Sequence, residues 1–422
     1  MTSKKLAEKA AELESHTEKF LADASGVVYS AVNSVSGKPW TETELSGYDA
    51  FQLPGVPASD LLSYENCGMT TGAYLAAMTL KYQVCGKQDD LMKAKRCFNG
   101  VKHIYEIGKQ KEPGFFPKIY GGKYSEQISS DQYIYALKGM DIFYDTASDT
   151  ERAGIRDMTE KMVDFWIRCN YVHNYYTIKN LRWPRGRFPA FMIIAARISG
   201  LKKFTDEFNR LNDMEKVYLT PADSMLANLG KRKLTAYEKK NGGSLLLGAL
   251  EDCAAMEMIA LDSCMCYSNA HTEHWKKSMR DIWAEGILAL TPDNLAWRHV
   301  LYDVKTGHAR PLPRPEMLDE KSALDWSWFL WRAEVLTPRS VMLARAGVQM
   351  SRWIPDTNAI RTALSVLKSV SADQMMFYLD PDGSQILPKH KYLTETLCAD
   401  AVTNWLWAYW LARQQNLISS ED

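Results

Sequence analysis

Thr71-Gly72-Ala73-Tyr74-Leu75-Ala76-Ala77-Met78 is apolar or small at almost every position, and the turn-forming run Cys85-Gly86-Lys87-Gln88-Asp89-Asp90 follows it. A helix without a polar face has to be buried on all sides. After the turn the pattern changes. Leu91, Ala94, Cys97, Val101 and Ile104 recur at helical spacing with charged residues between them, which marks a helix with one wet face. Buried helix, short turn and amphipathic helix together make one hairpin, running from about Thr70 to Ile107.

The same unit recurs along the chain, and a repeat of this kind decides the architecture. Hairpins start near Thr70, Ser130, Arg187, Ser244, Lys321 and Thr394, at spacings of 60, 57, 57, 77 and 73 residues. The first helix of each is unusually apolar, as in Ala190-Phe191-Met192-Ile193-Ile194-Ala195-Ala196 and Leu245-Leu246-Leu247-Gly248-Ala249. Short turns follow at Thr146-Ala147-Ser148-Asp149, Ser199-Gly200-Leu201-Lys202 and Thr337-Pro338-Arg339, the first of them offering Ser148 or Asp149 as a cap. Six inner helices ringed by six outer ones form an all-α (α/α)6 toroid of about twelve helices in one domain, 1–422. An N-terminal helix over roughly 4–33 closes the ring. Strand patterns are nearly absent. Uneven hairpin lengths argue against an open solenoid; two stacked helical domains are the competing layout.

Composition narrows the function. Hydrophobic residues are 46% and charged residues 24%, so the chain folds rather than staying disordered. Lys+Arg and Asp+Glu are both 51, which gives no electrostatic case for nucleic acid or an anionic membrane surface. No apolar run is long enough to span a bilayer. The basic start Lys4-Lys5 is interrupted by Glu8, Glu12 and Glu14, so it does not read as an export leader and the expected location is cytoplasmic. The eight cysteines are scattered through apolar helical stretches and read as free thiols, and Cys264-Met265-Cys266 is too tight for a metal or redox pair. No phosphate loop, dinucleotide fingerprint or zinc motif is present; no cofactor and no metal are expected.

In such a ring the inner helices run parallel, so their N-terminal ends and entry loops converge on one face. The entry loops are long and the opposite turns short, which marks the entry face as functional. Its first two loops hold Tyr64-Glu65-Asn66 and Ser129-Ser130-Asp131-Gln132-Tyr133. Hydrolysis of a glycosidic bond needs a proton donor and a base or nucleophile. Glu65 and Asp131, at the starts of neighbouring inner helices, are the candidate pair, flanked by Tyr64 and Gln132 as substrate contacts. Asp131 is equally a natural helix cap, and Glu65 could instead pair with a loop-three arginine as scaffolding. In Arg182-Trp183-Pro184-Arg185-Gly186-Arg187, Trp183 offers a stacking face and Arg182 and Arg185 a clamp for a sugar carboxylate, or else a salt-bridge cluster. His173, among Asn170, Tyr171, Asn174, Tyr175 and Tyr176, suits either a structural role or proton abstraction in a lyase. Asp325 and His390 are comparable cases, and a sugar epimerase would use His173 and His390.

Two stretches carry a family likeness: Tyr64-Glu65-Asn66-Cys67-Gly68-Met69-Thr70-Thr71-Gly72, and Pro113-Gly114-Phe115-Phe116-Pro117 with Ser129-Ser130-Asp131-Gln132-Tyr133. They resemble segments of bacterial six-hairpin proteins linked to polysaccharide breakdown, within the six-hairpin glycosidase superfamily. The segment Arg182–Arg187 is similar to the Trp-x-Arg-Gly-rich stretch of unsaturated glucuronyl and rhamnogalacturonyl hydrolases, with Pro184 and Arg187 where those have other residues. The resemblance implies an Asp at an inner-helix start that protonates the substrate, and Asp131 holds that position. The expectation is a glycoside hydrolase-like enzyme on an oligosaccharide containing uronic acid. The alternatives are a polysaccharide lyase, a sugar epimerase and a non-catalytic carbohydrate-binding toroid.

Overall fold

The computed structural model describes residues 5–50, 53–175, 178–182, 187–213, 234, 238–239, 242–311, 336–381, 383, 386 and 388–422. Among these residues the inner helices are α2 (Cys67–Cys85), α4 (Ser130–Tyr144), α6 (Arg187–Ser199), α8 (Leu250–Tyr267), α10 (Ser340–Ser351) and α12 (Ala399–Gln414). Each packs on the next, α2 on α4, α4 on α6, α6 on α8, α8 on α10 and α10 on α12, and α12 returns to α2. That closed cycle is the (α/α)6 toroid expected from the repeat. The outer helices are α3 (Gln88–Lys109), α5 (Asp149–Arg168), α7 (Lys202–Asp213), α9 (Thr272–Gly286), α11 (Thr357–Ser369) and, against α12, α1 (Leu6–His16).

The inner helices are buried on nearly every face. The run Cys67–Leu80 of α2 and Ala399–Trp410 of α12 are buried throughout, so Trp405, Trp407 and Trp410 are core residues. Outer helices bury one stripe, as in Ile155, Met158, Met162, Val163 and Trp166 of α5, which opens with a Ser148–Glu151 capping box. Tight inner-helix approach depends on glycine: a Cβ on Gly72 would lie 2.5 Å from the Tyr135 carbonyl oxygen.

The structure departs from the sequence reading at several element boundaries. Leu245–Gly248, expected to open the fourth inner helix, is strand β4, so α8 starts at Leu250. A four-residue apolar run does not distinguish strand from helix by periodicity, and here Ala249 at φ 54 breaks the chain between them. Position 321 lies outside the described residues. The fifth inner helix is Ser340–Ser351, so Thr337-Pro338-Arg339 is the entry to it rather than the turn after it. The sixth begins at Ala399, not near 394, because a strand, Thr396–Cys398, intervenes. The N-terminal helix is shorter than expected: α1 stops at His16, a single π turn follows over Thr17–Leu21, and residues 31–33 form strand β1.

Strands are present as small ribbons on the entry side. β1 (Ala31–Asn33) pairs with β9 (Thr396–Cys398), and β2 (Val172–Tyr175) with β3 (Ile178–Arg182). β4 pairs with β6 (His299–Asp303), which pairs with β7 (His308–Pro311), and β5 (Ala296–Trp297) pairs with β8 (Leu336–Thr337), all antiparallel. No helix among the described residues is long and apolar enough to cross a membrane.

Candidate active site

Five of the six inner helices bring a charged side chain to the rim of one cavity through their N-terminal ends. Glu65 and Asn66 precede α2, Asp131 lies in the first turn of α4, Asp252 in that of α8, Arg339 caps α10, and Asp400 opens α12. The sixth, α6, contributes Arg187 from behind, on Asp131. Acidic side chains in first turns are favoured by the positive end of the helix dipole, so the fold itself gathers carboxylates here. The remaining wall is apolar and aromatic, including Leu61, Leu62, Met69, Met256, Phe377 and Tyr392.

Two of the ribbons set side chains of the site. The β1–β9 pair, extended by the Ala399 N–H donating to the Ser30 carbonyl (3.0 Å), holds Asp400 beside Asn66. Asn66 Nδ2 then donates to Asp400 Oδ2 at 2.9 Å. The Ala249 N–H donates to the Arg298 carbonyl (3.0 Å), which fixes Arg298 against the first turn of α8. Arg298 Nη1 donates to Glu251 Oε1 and Asp252 Oδ2, both at 2.7 Å. Arg339 is 5% exposed and bridges two helices, donating from Nη1 to Asp252 Oδ2 and from Nη2 to Asp400 Oδ2, each at 3.3 Å.

This network separates the carboxyls chemically. Burial raises the Asp252 carboxyl, but Arg339 and Arg298 outweigh it and the net direction is down. At Asp400 burial prevails over Arg339 and Asn66, and the carboxyl is pushed up to about 6. Glu251 is also raised, by burial, against Arg298. Two carboxyls with opposite shifts in one cavity are the pattern of an acid and a base.

The expected residues divide into three groups. Glu65 and Asp131 line this cavity together. Glu65 forms an ion pair with Lys118, which is 2% exposed, and its Oε2 accepts from Tyr120 Oη at 2.7 Å. Asp131 forms an ion pair with Arg187, which also reaches Glu257 at 3.1 Å and Ser130 Oγ at 2.9 Å. Among the described side chains, the loop-three arginine that meets a site carboxylate is Arg187, on Asp131.

Tyr64, Gln132, His173 and His390 do not line the cavity. Tyr64 packs edge-on against Tyr29 at 5.4 Å. Gln132 is buried under loop one, accepting from the Gly68 N–H (3.2 Å) and donating to the Glu65 carbonyl (2.6 Å), so it positions Glu65 through its backbone. His173 packs on Phe115 and Phe165 at 5.8 and 5.9 Å. Residues two apart in a regular strand share a face, but the register shifts between His173 and Tyr175, and Tyr175 is the one that lines the cavity. His390 is 1% exposed, with Nδ1 at 3.1 Å from the Asp49 carbonyl oxygen. The backbone of Arg182 ends β3; its side chain, and Trp183, Arg185 and Asp325 altogether, lie outside the described residues.

Asp252, Arg298, Arg339 and Asp400 are the residues that sequence reasoning missed. The signal was available: an acid in the first turn of an inner helix, the argument that selected Asp131. Placing the fourth and sixth starts several residues early hid Asp252 and Asp400 inside their helices. Among the described residues no group of three or more His, Cys, Asp or Glu side chains is placed to hold a metal ion.

No family model matches the sequence, and no curated protein does. Solved structures do match over nearly the whole chain. One is an unsaturated glucuronyl hydrolase specific for heparin, at TM-score 0.52 and 11% identity, covering 98% of this chain and 96% of that one. A sugar epimerase from a ruminal bacterium matches at TM-score 0.53 and 10% identity, over 97% and 99% of the two chains. A D-mannose isomerase matches at TM-score 0.52 and 9% identity, over 98% and 97%. At these identities the likeness is one of fold. The chain carries the (α/α)6 toroid fold.

Proposed function

We propose that this chain is a carbohydrate-active enzyme, a glycoside hydrolase-like protein that works on an oligosaccharide in the entry-face cavity by carboxylate acid–base chemistry. The observation that carries the reading is the meeting of Glu65, Asp131, Asp252 and Asp400 with Phe377 and Tyr392 in one cavity. Carboxylates supply the proton transfers of glycoside cleavage, and aromatic faces suit the apolar face of a sugar ring. The matching folds belong to a hydrolase, an epimerase and an isomerase of sugars, which supports the substrate class without choosing the reaction.

Hydrolysis is favoured over elimination or epimerisation because those alternatives relied on His173 and His390, and neither lines the cavity. The uronic-acid part of the substrate expectation rested on Arg182, Trp183 and Arg185, so the substrate proposed here is an oligosaccharide without that restriction.

A panel of oligosaccharides and aryl glycosides tests the reading. On any substrate that is turned over, Asp131→Asn is expected to lower kcat/KM by about 100-fold or more, and Glu65→Gln to lower it as well. Full activity in Asp131→Asn removes that residue from the mechanism. Glycan binding that survives both changes, with no turnover by the wild type, identifies a non-catalytic binding toroid instead.

A further inference from the structure

Asp252 lines the cavity with its two oxygens in different surroundings. Its Oδ2 accepts from Arg298 Nη1 at 2.7 Å and from Arg339 Nη1 at 3.3 Å. Its Oδ1 makes no hydrogen bond to a described residue, and the side chain is 18% exposed. Two buried guanidiniums thus clamp one oxygen and leave the other as an open acceptor. They also hold the carboxyl below its ordinary range, so Asp252 stays ionised and is a weak base. Such a group takes hydrogen bonds from hydroxyls without taking their protons. Asp400 is different: its side chain is 4% exposed and its Oδ1 is buried, so it supports the site without reaching a ligand. Arg339 carries a second feature. Its guanidinium carbon lies 4.7 Å from the centroid of the Phe377 ring, which also lines the cavity. One buried arginine therefore sets a carboxylate and an aromatic ring side by side. A sugar ring presents hydroxyls at its edge and C–H groups on its face, and the two features match those two surfaces.

Charge narrows the kind of sugar. Among the described residues, the charged lining is Glu65, Asp131, Asp252 and Asp400 against Arg298 and Arg339. Arg298 is paired with Glu251 and Asp252, and Arg339 with Asp252 and Asp400. Behind the wall, Lys118 is paired with Glu65 and Arg187 with Asp131. A uronate carboxylate would enter an acid-rich cavity whose described cations are already matched to acids of the protein, and like charges at short range repel. We infer that Asp252 and Phe377, both set by Arg339, form the subsite that selects an uncharged sugar ring, with Asp252 Oδ1 accepting from its hydroxyls and Phe377 covering its C–H face. The assignment rests on the carbohydrate reading of this cavity. It leaves the acid–base work with Asp131 and Glu65, and makes Arg298 and Arg339 positioning residues.

Isothermal titration tests the subsite, with the methyl glycosides of glucose, galactose and mannose, their monodeoxy forms, and methyl glucuronide as probes. Wild type is expected to bind an uncharged glycoside more tightly than the glucuronide. Removing one particular hydroxyl should weaken that binding by about 10- to 100-fold. In Asp252→Asn the arginines retain the amide oxygen and turn the NH2 group to the cavity, so the acceptor is lost while the shape is kept. This variant should bind the parent glycoside about as weakly as wild type binds the deoxy form, and should not distinguish the two. Phe377→Leu should weaken parent and deoxy forms alike. No binding of any probe, tighter binding of the glucuronide, or no hydroxyl whose removal matters overturns the subsite; these outcomes need wild type alone and stand even if Asp252→Asn fails to fold. Discrimination retained in a folded Asp252→Asn overturns it as well. The subsite and the hydrolase reading fail separately. Binding that depends on both Asp252 and one hydroxyl, without turnover of any glycoside, keeps the subsite and rejects hydrolysis. Turnover in which Asp252→Asn lowers kcat equally for parent and deoxy substrates, with KM unchanged, rejects the subsite and places Asp252 in the chemistry.

Discussion

A buried carboxyl at about 6 has a consequence for stability as well as for chemistry. In the unfolded chain Asp400 titrates near 3.9, about two units lower. The folded state therefore keeps its proton over a range where the unfolded state has lost it. Stability from this group is complete below about pH 4, declines as pH rises to about 6, and is flat above. The change is roughly 3 kcal/mol at one pKa unit per 1.36 kcal/mol. Asp400→Asn removes the titration but keeps the shape. The stability of wild type relative to this variant, from urea denaturation, should fall by roughly 3 kcal/mol between about pH 4 and pH 7. A constant difference across that range would mean that Asp400 is not a buried proton carrier. The paired acids Glu65 and Asp131 could be chosen from sequence because they sit next to recognisable helix starts. Their ion partners Lys118 and Arg187 could not, since those contacts join residues 53 and 56 apart.

At the scale of elements, glycine sets how closely the inner helices α2 and α4 approach. Gly72 of α2 and Gly139 of α4 face one another, and a Cβ on Gly139 would lie 2.6 Å from the Gly72 carbonyl oxygen. Backbone is the obstacle, so the helices would have to move apart. Gly72→Ala should destabilise by about 1–3 kcal/mol, although alanine is the better helix former. Gly154 of α5 is the opposite case, where a Cβ would meet only Phe98 Cζ, at 4.0 Å. Gly154→Ala should stabilise by about 0.5–1 kcal/mol. Urea midpoints of both variants check the pair; two changes of the same sign would contradict this packing. Helix type was the legible part of these elements. All-round apolar runs identified α2, α4 and α6 with starts within a few residues. Boundaries failed where a ribbon abuts a helix, since Leu245-Leu246-Leu247 is as apolar in β4 as it would be in a helix. Long-range pairing with β6 decides its state, and local pattern carries no information about that partner.

For the whole molecule, the feature to explain is closure: a ring of hairpins is one unit only if its first and last elements meet. The repeat predicted that they do: α12 packs on α2, and one side chain of α1 adds a second tie across the seam. Lys9 of α1 is 4% exposed, and its Nζ donates to the carbonyls of Leu367 (3.0 Å), Lys368 (2.9 Å) and Val370 (2.8 Å). Those are orphan carbonyls at the C-terminus of α11, where a cation also meets the negative end of the helix dipole. Glu14 of the same helix reaches Lys81 of α2 at 2.7 Å and Lys93 of α3 at 2.9 Å. Helix α1 thus connects the first hairpin to the last outer helix, and through them the frame that holds Asn66 against Asp400. Lys9→Met keeps the aliphatic stem and removes the charge-assisted bonds. The expected cost is about 1.5–3 kcal/mol, seen as a lower urea midpoint in a single transition. Amide exchange in α11 should quicken together with that in α1, because a carbonyl cap lost from one end loosens both. If α1 alone exchanges faster while the remaining helices keep their wild-type protection, then α1 is an appendage, and the ring is closed by the contact of α12 with α2 without it.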